Sequence, residues 1–114
     1  MAFRFEGLEI WQLAKAYASR ICAITARFPR KEDYALTSQL NRAAYSIVLN
    51  IAEGAGRNTD AEFNHFLGIA MGSVFEVVAG LHLAKEQHYI DEPTLACTTK
   101  VKLWVAKSML FATR

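Results

Sequence analysis

Gln39, Arg42, Ser46, Asn50, Glu53 and Arg57 recur every three or four residues, so on a helix they form one polar line. The set holds guanidinium, carboxylate, amide and hydroxyl groups, which could either grip a polar ligand or lock one helix against another. Glu62, His65, Ser73 and Glu76 form a second polar line, interrupted by Ile69. If the two lines face each other in a hairpin turning near Asn58 and Thr59, Arg42 meets Glu76. Ser46 then meets Gly72 and Ser73, and Glu53 meets His65. Gly68 and Gly72 would allow close backbone approach. The expectation is an Arg42–Glu76 ion pair and an Asn50 hydrogen bond in a partly buried seam. A buried pair of this kind fixes register and is costly to break from one side.

Other chemistries lack their parts. A di-iron bundle needs two Glu-x-x-His motifs and two further glutamates, and Glu62-Phe63-Asn64-His65 is the one instance. His82 and His88 do not supply the second. Gly54-Ala55-Gly56 lacks the Lys-Ser/Thr and the preceding strand of a phosphate loop, and no Gly-x-Ser-x-Gly elbow occurs. Cys22 and Cys97 sit in no Cys-x-x-Cys or Cys/His cluster, so free buried thiols are expected rather than zinc or a disulfide. No catalytic residue, metal or cofactor is assigned, and the chain reads as non-enzymatic.

The polar lines need helices to carry them, and the apolar spacing supplies four. Ile10, Ala14, Tyr17, Ile21, Ile24 and Phe28 make one stripe over about 8–28, ended by Pro29. Leu36, Leu40, Ala43, Ile47 and Ile51 mark a second helix over about 36–53, with Gly54 and Gly56 as left-handed caps. Thr59-Asp60-Ala61-Glu62 reads as a capping box opening a third, about 60–86. Asp91-Glu92-Pro93 opens a fourth over about 93–112, with Leu95, Thr98, Val105, Met109 and Ala112 inward. Matching lengths and short connections predict one all-α domain over residues 1–114, an antiparallel up-down-up-down four-helix bundle.

Of the 114 residues, 53% are hydrophobic and 21% charged, with a net charge of +2. A domain this small has little interior, so part of that apolar surface must face something else. A membrane span over Leu67 to Ala84 is set aside, because Glu76 and His82 would lie within it. With no signal-like apolar segment at the N-terminus, a cytoplasmic location is expected. The surplus falls on second stripes: Leu8, Trp11, Ala18 and Cys22 on the first helix, Cys97, Trp104 and Phe111 on the fourth. Tyr45, Val48, Leu49 and Ala52 do the same on the second. They read as subunit seams, with Lys stems at the rim. Lys100, Trp104, Lys107, Phe111 and Arg114 interleave charge with aromatic rings, the composition of a nucleic-acid face. Residues 93–114 carry four basic groups and no acid. Lys15, Arg20, Arg27, Arg30 and Lys31 join Lys100, Lys107 and Arg114 as candidate phosphate contacts.

Longer motifs carry a resemblance. Leu8-Glu9-Ile10-Trp11, Phe28-Pro29-Arg30, Thr37-Ser38-Gln39-Leu40-Asn41-Arg42-Ala43-Ala44 and above all Ser46-Ile47-Val48-Leu49-Asn50-Ile51-Ala52-Glu53-Gly54 with Arg57 resemble the family of 23S rRNA intervening-sequence proteins. The likeness continues through Glu62-Phe63, Phe66-Leu67, Gly72-Ser73, Glu76 and His88-Tyr89-Ile90, and Arg42, Asn50, Glu53 and Arg57 match its motif one by one. It implies a four-helix bundle assembling as a homopentameric ring, with genes often lying inside insertions of the large ribosomal RNA. The chain is also similar to accessory proteins of diversity-generating retroelements, pentamers that associate with a reverse transcriptase and nucleic acid. Two functions are therefore expected: a homo-oligomer that associates with RNA or DNA, or a scaffold that recruits another protein. No membrane partner is expected in either.

Overall fold

The apolar stripes become helices whose ends are set by side-chain hydrogen bonds. The computed structural model describes residues 3–100: α1 (Glu9–Thr25), α2 (Leu36–Ala55), α3 (Asp60–Glu86) and α4, helical over residues 92–100. No strand occurs among the described residues. Short 3-10 turns at Arg4–Gly7 and Arg30–Glu32 precede α1 and α2, and neither was expected from the sequence. The expected end of the fourth helix at 112 lies outside the described residues.

α1 stops before Phe28. The Thr25 hydroxyl is within hydrogen-bond reach of Cys22 O (3.1 Å) and Asn41 Oδ1 (2.7 Å), which ties the helix end to α2. Phe28 keeps its place in the core from the connection, packed against the Tyr89 ring at 5.3 Å. The stripe thus extends beyond the helix. α2 runs past the expected glycine caps. Gly54 is buried inside the helix, Gly56 ends it at φ −84°, and no glycine among the described residues has positive φ. The left-handed residue is instead His88, at φ 63°, just after α3. Thr59 caps α3 as expected, its hydroxyl accepting from Glu62 N–H at 3.1 Å. The return bond reaches back one residue further than a standard box, Glu62 Oε2 accepting from Asn58 N–H. Asp91 Oδ1 accepts from Thr94 N–H at 2.9 Å, the cap that opens α4.

α2 and α3 run antiparallel in close to the expected register. Gly54 abuts Phe63 and Phe66 at one end, Ser46 meets Ser73 in the middle, and Gly80 lies against Leu40 at the other. α1 lies antiparallel to α2 through the Thr25–Asn41 and Cys22–Tyr45 contacts. α4 meets α1 where the Tyr17 hydroxyl donates to Thr98 O at 3.4 Å. It is also tied to α3 by the Lys85–Glu92 ion pair at 3.0 Å. Ile21, Leu40, Ile47, Ile51, Val74, Val77 and Leu81 fill the core. α3 is long and apolar enough to cross a membrane by length and composition. Its Phe63, Leu67, Ala70, Val74, Val77, Leu81 and Ala84 are nonetheless buried inside this fold.

Candidate functional site

The polar seam forms in part. Ser73, largely buried on α3, donates to Ser46 Oγ on α2 at 2.8 Å. The expected Asn50 hydrogen bond forms within α2, the amide donating to Ser46 O at 2.8 Å and to Ser46 Oγ at 3.0 Å, the hydroxyl that Ser73 also reaches. Two other expected pairs do not form. Arg42 and Glu76 are both exposed, and neither belongs to an ion pair among the described residues. They reach water more cheaply than each other, as exposed charges on long side chains do. Glu53 turns to Arg57, just past the end of its own helix, at 2.9 Å, while His65 packs edge-on to Phe66. Gly68 and Gly72 face open space, with nothing within 4 Å of an added Cβ. The close approaches fall at Gly54 and Gly80, which the periodicity did not single out.

The second apolar stripes divide. On α1, Ala18 is buried in the core, and Leu8 and Trp11 are half-buried against it. Cys22 is also half-buried, its thiol donating to the Tyr45 hydroxyl at 3.3 Å. The hydrogen bond shared with Cys22, and then repulsion between the two groups in their ionised forms, raise the Tyr45 phenol above its ordinary pKa. Tyr45 and Leu49 project outward, 52% and 65% exposed. With Lys15, Ala18, Cys22 and Val48 they line a shallow groove of about 470 Å³ between α1 and α2. Cys97, expected to be buried, is exposed and accepts from Arg20 Nη2 at 2.7 Å. Trp104 and Phe111 lie outside the described residues.

The candidate phosphate contacts are dispersed. Lys15 lies over the Trp11 ring at 4.9 Å, and Arg20 is engaged by Cys97. Arg27, Arg30 and Lys31 gather within five positions at the α1–α2 connection, all exposed and without an ion-pair partner among the described residues. Glu32 shares their turn and feels the Lys31 charge, but its carboxylate is engaged, accepting from the Tyr89 hydroxyl at 2.7 Å and from Leu36 N–H. Those bonds lower the Glu32 pKa and raise that of Tyr89. Lys100 is exposed near the described end of α4, and Lys107 and Arg114 lie outside the described residues.

The α2–α3 turn holds an arrangement the sequence reading missed. Because residue 54 has no side chain, Phe63 and Phe66 close onto α2 there. Each ring then carries a guanidinium: Arg4 over Phe63 at 5.3 Å and Arg57 over Phe66 at 4.8 Å. Arg4 also donates to Ala55 O at 3.3 Å, among the carbonyls left over at the end of α2. A cleft of about 270 Å³ opens beside them, lined by Phe3, Arg4, Phe5, Ala52, Glu53 and Arg57 among others. Arg57 stood in the polar line, but Arg4 lies far away in sequence, and no periodicity links them.

Among the described residues, no group of three or more His, Cys, Asp or Glu side chains is placed to hold a metal ion. The sequence profile of the 23S rRNA-intervening sequence protein family matches residues 6–107. No curated protein matches the chain. The fold is similar to a crystal structure of a protein of unknown function from the S23 ribosomal protein family of Bacteroides thetaiotaomicron. The two superpose with a TM-score of 0.82 at 20% identity, over 91% of this chain and 94% of that one.

Proposed function

Taking as premise that the chain belongs to the 23S rRNA-intervening sequence protein family, we propose that it works without catalysis, as a self-associating helical subunit. The homopentameric ring implied by the family resemblance is the assembly assigned, and the groove between α1 and α2 is the surface buried in it. The observation that supports this is the outward placement of Tyr45 and Leu49 beside the apolar groove walls. Isolated apolar side chains on a surface are ordinary, but a groove flanked by two such residues fits a partner. It also accounts for the apolar surplus, since Leu8, Trp11 and Ala18 are already taken up by the chain's own core.

The test is Leu49→Asp, followed by light scattering behind size exclusion. Leu49 is exposed, so the substitution leaves the helical fold intact while placing a charge in the contact. The expected result is a lower assembled mass with unchanged helicity. An unchanged mass would overturn the assignment of this groove and leave it to a different protein partner.

A second role rests on the Arg27, Arg30 and Lys31 cluster. With Glu32 held by Tyr89, these three cations present an exposed end to a phosphate backbone. Binding of single-stranded RNA or duplex DNA should then weaken as salt rises, through counterion release. Charge reversal at Arg27 and Lys31 should abolish it. No retardation of either nucleic acid at low salt would remove this role.

A further inference from the structure

The cleft at the α2–α3 turn is independent of the assembly groove and of the Arg27 cluster, and its chemistry is more specific than either. Two guanidiniums stand at it, each laid over a phenyl ring and each held by one further bond, Arg4 by Ala55 O and Arg57 by Glu53 Oε1. An arginine fixed in this way keeps most of its N–H donors free in a set plane, suited to the oxygens of a phosphate or carboxylate. The two positive charges outnumber the single carboxylate of Glu53, so the cleft favours an anion. Glu53 retains a second oxygen to accept from a hydroxyl or amine.

The remaining lining is apolar. Phe3 is 70% exposed, and its ring lies nearly parallel to Phe5, with planes 11° apart and centroids 6.0 Å apart. Phe5 is braced in turn by Trp11 at 4.8 Å. The open face of Phe3 can take one more flat ring on that stack. A cleft of about 270 Å³ has room for one small ligand and no more.

We propose that the Phe3–Arg4–Arg57 cleft binds a single nucleoside monophosphate unit, its base on Phe3 and its phosphate on the two arginines. The unit comes either from a free nucleotide or from the 5′-phosphorylated end of a single strand.

Isothermal titration of the native protein tests this with three probes: adenosine monophosphate, a 5′-phosphorylated RNA oligonucleotide, and the same strand with a 5′-hydroxyl. Binding of the mononucleotide equal to that of the phosphorylated strand identifies the free nucleotide as the source. Tighter binding of the phosphorylated strand than of either other probe identifies the strand end. Arg4→Gln should weaken binding about tenfold or more, because it removes charge-assisted bonds. Phe3→Ala should weaken it about tenfold through loss of stacking. Phe3 is exposed, and Arg4 meets the fold only through Ala55 O and the Phe63 ring. Phe3→Ala should therefore melt as wild type and Arg4→Gln slightly lower, with assembled mass unchanged in both, separating failure of this site from failure of the assembly reading. The proposal is overturned if neither phosphorylated probe binds at millimolar concentration, or if binding survives both substitutions undiminished.

Discussion

Gly54→Ala tests how the hairpin is closed. Inside a helix, alanine is favoured over glycine by about 1 kcal/mol, so propensity alone predicts a more stable protein. The packing predicts the opposite. The new Cβ would stand 2.7 Å from Phe66 Cβ, 2.9 Å from Phe63 Cδ1 and 3.3 Å from Phe63 O. Unstrained carbon contacts lie near 3.5–4.0 Å, so α3 must retreat by roughly 1 Å at this end. The Phe63 ring could swing, but Phe66 Cβ is attached directly to the backbone and cannot. Overpacking of this kind costs about 1–3 kcal/mol, and the guanidinium stacks on both rings would be disturbed as well. The net loss is about 1–2 kcal/mol, and at about 4–8 °C for each kcal/mol the melting temperature falls by roughly 4–16 °C. Gly68→Ala is the control: nothing lies within 4 Å of its added Cβ, so helix propensity acts alone and the protein should gain up to about 1 kcal/mol. Thermal unfolding followed by circular dichroism at one fixed protein concentration measures both. A Gly54→Ala protein that melts at or above wild type would refute the close-approach argument.

Further outcomes follow from the same contacts. Tyr17 is buried and its pKa is pushed up to about 12, chiefly by burial. Its neutral form is the one the fold favours, so the associated stability is present below about pH 10 and is lost as pH rises through 12. That amounts to about 2–3 kcal/mol. Tyr17→Phe should therefore lose less stability than wild type between those values in alkaline melts, and equal losses would contradict the assignment. Glu32 has its pKa lowered by the Tyr89 hydroxyl and by Leu36 N–H. Its contribution is present above the ordinary carboxylate pKa and is lost as pH falls below it. Tyr89→Phe should flatten the acid limb of the stability profile, and an unaltered limb would show that the bond does not matter. Ser73→Ala should cost about 1 kcal/mol by removing the hydroxyl bond to Ser46 across the seam, measured by urea unfolding. Thr59→Ala should cost about 1 kcal/mol through loss of the α3 cap, read from the same transition.

What the sequence made legible was local and periodic. The Asp60 start of α3 was readable because Thr59 supplies the cap, and the Ser46–Ser73 contact because the hairpin register follows from two polar lines. Boundaries failed where a core residue lies outside a helix. Phe28 prolongs the α1 stripe although the helix ends at Thr25, which hydrogen-bonds to α2 through Asn41. The glycines were read as caps or seam spacers, because a spacing pattern does not show which one faces a neighbouring ring. Gly54 serves the latter purpose, and Gly68 and Gly72 serve neither. Arg42 and Glu76 were paired by register alone, but both remain in solvent. The Arg4–Arg57 cleft was illegible for a different reason. It depends on a 3-10 turn before α1 folding across to the far end of α2, a contact between positions with no shared period.

The proposed function stands on self-association, which sedimentation equilibrium of the native protein reads as a mass. A pentamer has a mass about five times that of the 12.8 kDa chain, reduced by Leu49→Asp. A mass of one chain across the whole concentration range would contradict it.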